Sequence, residues 1–141
     1  MSSKGSRILF FLLLLGCLPL LAGDLPPEFQ ARFVKILIKS ANLPAKIACT
    51  DSALVPELQK GGVEIAAEAP IAWASNGADV KKFKAMGKLV ICSQIALLGQ
   101  GGAIAVVEEG GKPSIYLHKG NLDASGVTLS DSIYKIAKIA P

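Results

Sequence analysis

The sequence predicts a small three-layer α/β domain. A Rossmann-like parallel sheet, extended by a C-terminal β-hairpin, carries helices on its faces. Short, near-continuous apolar runs at 46–50, 71–75 and 88–92 have the pattern of strands buried on both faces, which is the mark of a parallel sheet. Amphipathic stretches of helical period lie beside and between them, so strand and helix alternate. Two further β-rich runs, 103–108 and 114–118, are joined by a connection rich in turn residues, Glu109-Gly110-Gly111-Lys112-Pro113, which is a hairpin signal.

The first segment in chain order precedes the domain. The 141-residue chain opens with two cations, Lys4 and Arg7, and reaches its first acid only at Asp24. An apolar run over 8–15 continues with little interruption to Ala22. A basic start, a short apolar core and small residues at its end are the layout of a secretory signal. The run is broken by Gly16 and Pro19 and falls short of the about 20 apolar residues that a membrane span takes. The expectation is a signal peptide over 1–23, a periplasmic location and one domain over 24–141. Two processing routes stay open. Ala22-Gly23 suits a cut before Asp24, whereas Leu14-Leu15-Gly16-Cys17 is similar to a lipobox, whose Cys17 would be lipidated. The apolar residues after Cys17 favour the first.

In the domain, Pro26-Pro27 suits a helix start. Phe29, Phe33, Val34, Leu37 and Ala41 then recur at helical spacing, predicting a helix over 28–41 that stops at Asn42-Leu43-Pro44. After the 46–50 strand, Asp51-Ser52 is a start signal for a helix reaching about Lys60, which Gly61-Gly62 ends. Alternation over 63–66 predicts an edge strand. The 71–75 strand turns through Asn76-Gly77 into a helix over 78–86 with Val80, Phe83 and Met86 on one face, and the 88–92 strand follows. Gly99, Gly101 and Gly102 match neither phosphate-binding fingerprint and shape a turn into the hairpin. A closing helix over 129–139 places Leu129, Ile133, Ile136 and Ala137 inward and Lys135 and Lys138 outward, with Ser130 or Thr128 as its cap.

Composition narrows the function classes. Without the signal, 15 basic residues become 13 against 11 acidic ones, so the net charge falls from +4 to +2. That is no electrostatic footprint for nucleic acid. The single histidine, His118, has no local partners for a metal trio, and no catalytic residue, metal or cofactor is assigned. Cys49 and Cys92 end two predicted strands. In the usual doubly wound order the 71–75 strand separates them, leaving Cα atoms about 9–10 Å apart, beyond the roughly 7 Å reach of a disulfide. Buried free thiols are the expectation, and a disulfide or redox-active pair between Cys49 and Cys92 is the alternative. Ligands of such sheets gather at the carboxyl ends of the strands, here near Thr50-Asp51, Ser75-Asn76 and Ser93-Gln94. Asp51, Asn76 and Gln94 are the candidate pocket.

Four C-terminal stretches together resemble the YfiR-like periplasmic proteins: Lys88 to Ser93, Gly101 to Lys112, Ile115 to His118 and Ser125 to Ala137. Phe29 to Pro44 resembles that family's opening helix, with Leu43-Pro44 where the family has tryptophan-proline. Departures include Ile115 for Phe, His118 for Asn and Asp131 for Ser. The resemblance implies a non-enzymatic regulator that binds the periplasmic sensor domain of an inner-membrane diguanylate cyclase and restrains cyclic-di-GMP synthesis. An outer-membrane lipoprotein would sequester it, and a homodimer is left open. Cysteine redox state is linked to folding in that family, which bears on Cys49 and Cys92. Two rival readings stand beside it: a small-ligand-binding domain, and a secreted thiol enzyme using Cys92.

Overall fold

The computed structural model describes residues 23–140. The signal expected over 1–23 lies, but for Gly23, outside the described residues, and so does Cys17. The order is α1 (Pro27–Ser40), β1 (Lys46–Ile47), α2 (Val55–Lys60), β2 (Glu64–Ile65), β3 (Ile71–Ala74), α3 (Gly77–Ala85), β4 (Leu89–Cys92) and a 3-10 helix (Ile95–Gln100). The hairpin strands β5 (Ile104–Glu109) and β6 (Lys112–Leu117) follow, then α4 (Lys119–Ser125), α5 (Asp131–Ile136) and β7 (Lys138–Ile139).

β3 to β7 form one sheet in chain order, and β1 pairs with β2 beside it. A parallel bridge from Ala48 to Ala72 joins the two: Ala48 N–H donates to the Ile71 carbonyl and Trp73 N–H to the Ala48 carbonyl, both at 2.9 Å. The spatial order is therefore β2-β1-β3-β4-β5-β6-β7. The first five strands run parallel, β6 is antiparallel to β5, and β7 is parallel to β6. The predicted α/β class and the hairpin extension are both present.

Strands buried on two faces need apolar residues at every position, and here the two sets differ in size. Ile47, Ile71, Trp73, Leu89, Ile91, Ile104 and Val106 share one core with Val34 and Leu37 of α1, Leu58 of α2, Leu122 of α4 and Ile133 of α5. Ala48, Ala72, Ala74, Val90, Cys92, Ala105 and Val107 face the other way, against Val80 and Phe83 of α3 and Leu97 and Leu98 of the 3-10 helix. The hairpin turn is only two residues long. Gly110 and Gly111 both take positive φ, +57° and +77°, as a type I′ turn requires at both central positions. Pro113 fits the edge strand because the even-numbered residues of β6 bond β5, as His118 N–H does to the Ala103 carbonyl. Its missing N–H therefore falls on the open side.

Several predicted elements change. The closing helix ends at Ile136, not 139. Ala137 turns extended (φ −84°, ψ 151°), and Lys138 and Ile139 pair with Tyr116 and Leu117 as β7. Ile136, expected inward, is 64% exposed. Met86 caps the end of α3 and is also exposed. Phe29 lies at the margin of α1, whose buried stripe is Ala31, Val34, Leu37 and Ile38. α2 starts only at Val55, with Pro56 in its first turn, while the Asp51 carboxylate holds the preceding turn. The 3-10 helix and α4 have no counterpart in the sequence reading. No helix among the described residues is long and apolar enough to cross a membrane.

Candidate functional site

The chain leaves β1 for β2 on one side and returns to β3 on the other, so the strand order reverses between β1 and β3. Crevices of open α/β sheets form at the carboxyl edge near such a reversal. Because β1, β3 and β4 are neighbours, Asp51, Asn76 and Gln94 all stand along that edge. Two of them are already engaged. The Asp51 carboxylate accepts from the N–H groups of Ala53 (3.0 Å) and Leu54 (3.3 Å). Asn76 caps α3: its Oδ1 accepts from Asp79 N–H at 2.9 Å, and its Nδ2 donates to the Asp79 carboxylate. Both side chains start the next segment, as short polar residues do.

Gln94 differs. β4 stops at Cys92 while β5 runs on to Glu109, so the β4 side of β5 is left open beyond Ala105. Gly23 pairs back with Glu108 through two backbone bonds of 2.8 and 2.9 Å. Between that bridge and the end of β4 lies a cavity of about 340 Å³. Gly23 and Asp24 form one wall, Ser93 to Ala96 the other, and Val107 belongs to its lining. Ser93 is 1% exposed, and its Oγ has no hydrogen-bond partner among the described residues. A buried hydroxyl without a partner costs about 1–3 kcal/mol, so folded chains hold few of them; the indole N–H of Trp73 is another among the described residues. Strand ends were legible in the sequence and pointed to Ser93-Gln94. The wall from residues 23–24 was not, because it comes from pairing with a strand some 85 residues later.

Both cysteines are buried and unbridged, with β3 between their strands. Burial pushes the Cys49 thiol up to about 11 and the Cys92 thiol up to about 12. Neither supplies a thiolate near neutral pH, which a thiol nucleophile needs. His118 is a helix cap: its Nδ1 accepts from Asn121 N–H at 3.1 Å. Among the described residues no three His, Cys, Asp or Glu side chains gather as metal ligands would.

A second concave surface lies at the opposite margin. β7 reaches only Tyr116 and Leu117, so the first half of β6 has no outer strand. Phe33 of α1, Pro113 and Ile115 of β6, and Ile136 enclose a groove of about 390 Å³ there. Lys112, Ser114 and Lys138 complete its rim. The exposed Phe29 and Ile36 extend Phe33 into a stripe along α1 at helical spacing. Lys138 is tied to Glu109 at 2.8 Å, and the Tyr116 hydroxyl donates to the same carboxylate at 2.6 Å. The Lys138 and Tyr116 hydrogen bonds hold the Glu109 carboxyl below the usual range.

No family model and no curated protein matches the sequence. Two solved structures share the fold. One is a conserved domain protein from Vibrio cholerae, with a TM-score of 0.63 and 10% identity over 84% of this chain and 61% of that one. The other is the ABC domain in complex with L-Trp from Streptococcus pneumonia, with a TM-score of 0.60 and 14% identity over 82% of this chain and 60% of that one. The chain thus spans about three-fifths of the length of either. At such identities the likeness establishes the α/β fold.

Proposed function

We propose that the protein is a non-catalytic binding module of the periplasm whose small ligand sits at the carboxyl ends of β4 and β5. The observation that carries this reading is the cavity of about 340 Å³ at those strand ends, bordered by Gln94, a strand-end side chain that makes no capping hydrogen bond. That volume is at the lower end of the range for small-molecule sites, which suits a ligand about as large as one amino acid. The fold neighbour in complex with L-Trp makes free amino acids the first probes. Binding should move the amide resonances of Ser93, Gln94 and Val107, and Gln94→Ala, at an exposed position of the lining, should weaken it while leaving the fold within about 0.5 kcal/mol of the parent. A full panel at millimolar concentration that leaves those resonances in place sinks the proposal.

A second reading follows the YfiR-like resemblance: a contact protein that regulates an inner-membrane partner such as a cyclase through its periplasmic domain. The apolar groove formed by α1, the hairpin and Ile136 favours it. Recovery of an inner-membrane sensor protein with the exported protein, lost on Ile136→Asp, is its expected signature. Equal recovery with that variant would argue against contact through the groove.

A further inference from the structure

We propose that the groove between α1, the hairpin and Ile136 docks another protein, and that its occupant is an apolar segment carrying carboxylates. The inference rests on the contact reading above and adds the surface and the chemistry of the partner. Among the described residues, three of the six exposed large apolar side chains, Phe29, Ile36 and Ile136, lie on the groove or on the α1 stripe beside it, while Met86, Tyr134 and Ile139 lie outside both. Ile136 is 64% and Ile36 49% exposed, and Phe29 and Phe33 continue the same stripe. An apolar patch edged by polar groups is the usual form of an interaction site.

Shape and charge select among occupants. The surface is concave, so a lipid bilayer, which takes protruding apolar side chains, does not fit it. A second copy of this chain would meet it isologously, patch to patch. Its matching patch holds the same Lys112, unpaired among the described residues, and no acid in its lining, so a second copy brings no counter-charge to the groove. The groove lining holds two lysines and no acid. Glu109 offsets Lys138, whereas Lys112 is in no ion pair among the described residues. A partner segment with acidic side chains flanking apolar ones supplies the missing counter-charge. Pro113 withholds an N–H from the open edge of β6, so side chains in the groove, not strand addition, would make the contact.

The test uses two short synthetic peptides, one built of leucine and glutamate and one of leucine and lysine, added to the isotope-labelled full chain. The acidic peptide should bind and move the resonances of Phe33, Ile115 and Ile136, and Lys112→Glu should weaken it about tenfold. Ile136→Asp should abolish it, with thermal melting confirming that this exposed substitution leaves the fold intact. Equal binding of both peptides, or indifference to Lys112→Glu, overturns the acidic chemistry. Resonance changes confined to another surface overturn the groove but leave a contact role standing. Binding of neither peptide overturns both. A concentration-dependent dimer that Ile136→Asp dissolves makes the occupant a second copy and also overturns the proposal.

Discussion

The two faces of the central sheet are both dry, but they bury side chains of very different size. On one, Trp73 and a set of isoleucines and leucines meet four helices. On the other, alanines at 48, 72, 74 and 105 let α3 and the 3-10 helix approach closely. The large face gains stability from area. The small face gains it from close contact, and Gly102 marks the limit: a Cβ there would stand 2.8 Å from the Cys92 sulfur and 3.1 Å from the Leu97 carbonyl. Close-packed interiors tolerate neither cavities nor added atoms well, so each face should fail in its own way.

Removing volume should hurt the large face most. Trp73→Ala is expected to cost about 3–5 kcal/mol in denaturant unfolding, the range for deleting a buried aromatic ring. Trp73→Phe should cost far less. It keeps most of the ring and removes an indole N–H that has no partner among the described residues. Equal losses for the two variants would mean that the polar atom, and not the volume, matters at this position.

Adding volume should hurt the small face. Gly102→Ala is expected to cost about 1–3 kcal/mol as overpacking. Cys92→Ala in the same chain should recover part of that loss, because it removes the sulfur nearest the new methyl group. Strictly additive effects would show that the contact with Leu97 alone sets the limit.

The sequence announced the large face more clearly than the small one. Runs such as Ile71 to Ala74 are apolar at every position, so β1, β3, β4 and their parallel order were legible, and so was the separation of the cysteines by β3. The Gly110-Gly111 turn was legible because its chemistry is local. The 3-10 helix and α4 were not. α4 has one buried residue, Leu122, too few to set a period, and the 3-10 helix buries only Leu97 and Leu98. Residues 137–139 continue a helical pattern as readily as a strand, and their pairing with Tyr116 and Leu117 decides the outcome. At the candidate site, strand ends pointed to Asp51, Asn76 and Gln94 alike. Only the folded chain separates the capping side chains, Asp51 and Asn76, from Gln94, which borders a cavity.

The thiols give the finest comparison, because each face holds one. Cys49 belongs to the large-residue core and Cys92 to the small one. Burial raises both, to about 11 and about 12. Between about pH 9 and 11, alkylation of Cys49, which is 7% exposed, should therefore run ahead of that of Cys92, which is 0% exposed. The stability consequence has a definite sign. A thiol whose folded pKa lies above its unfolded value stabilises the fold below about pH 8.5, and that contribution is lost as pH rises through the folded pKa. Unfolding free energy should thus hold to about pH 9 and then fall towards pH 12, less steeply in Cys49→Ala and Cys92→Ala than in the parent. If Cys92 reacts first, the small face opens more readily than the large one. Its close packing would then be a property of the mean structure that local fluctuation does not respect.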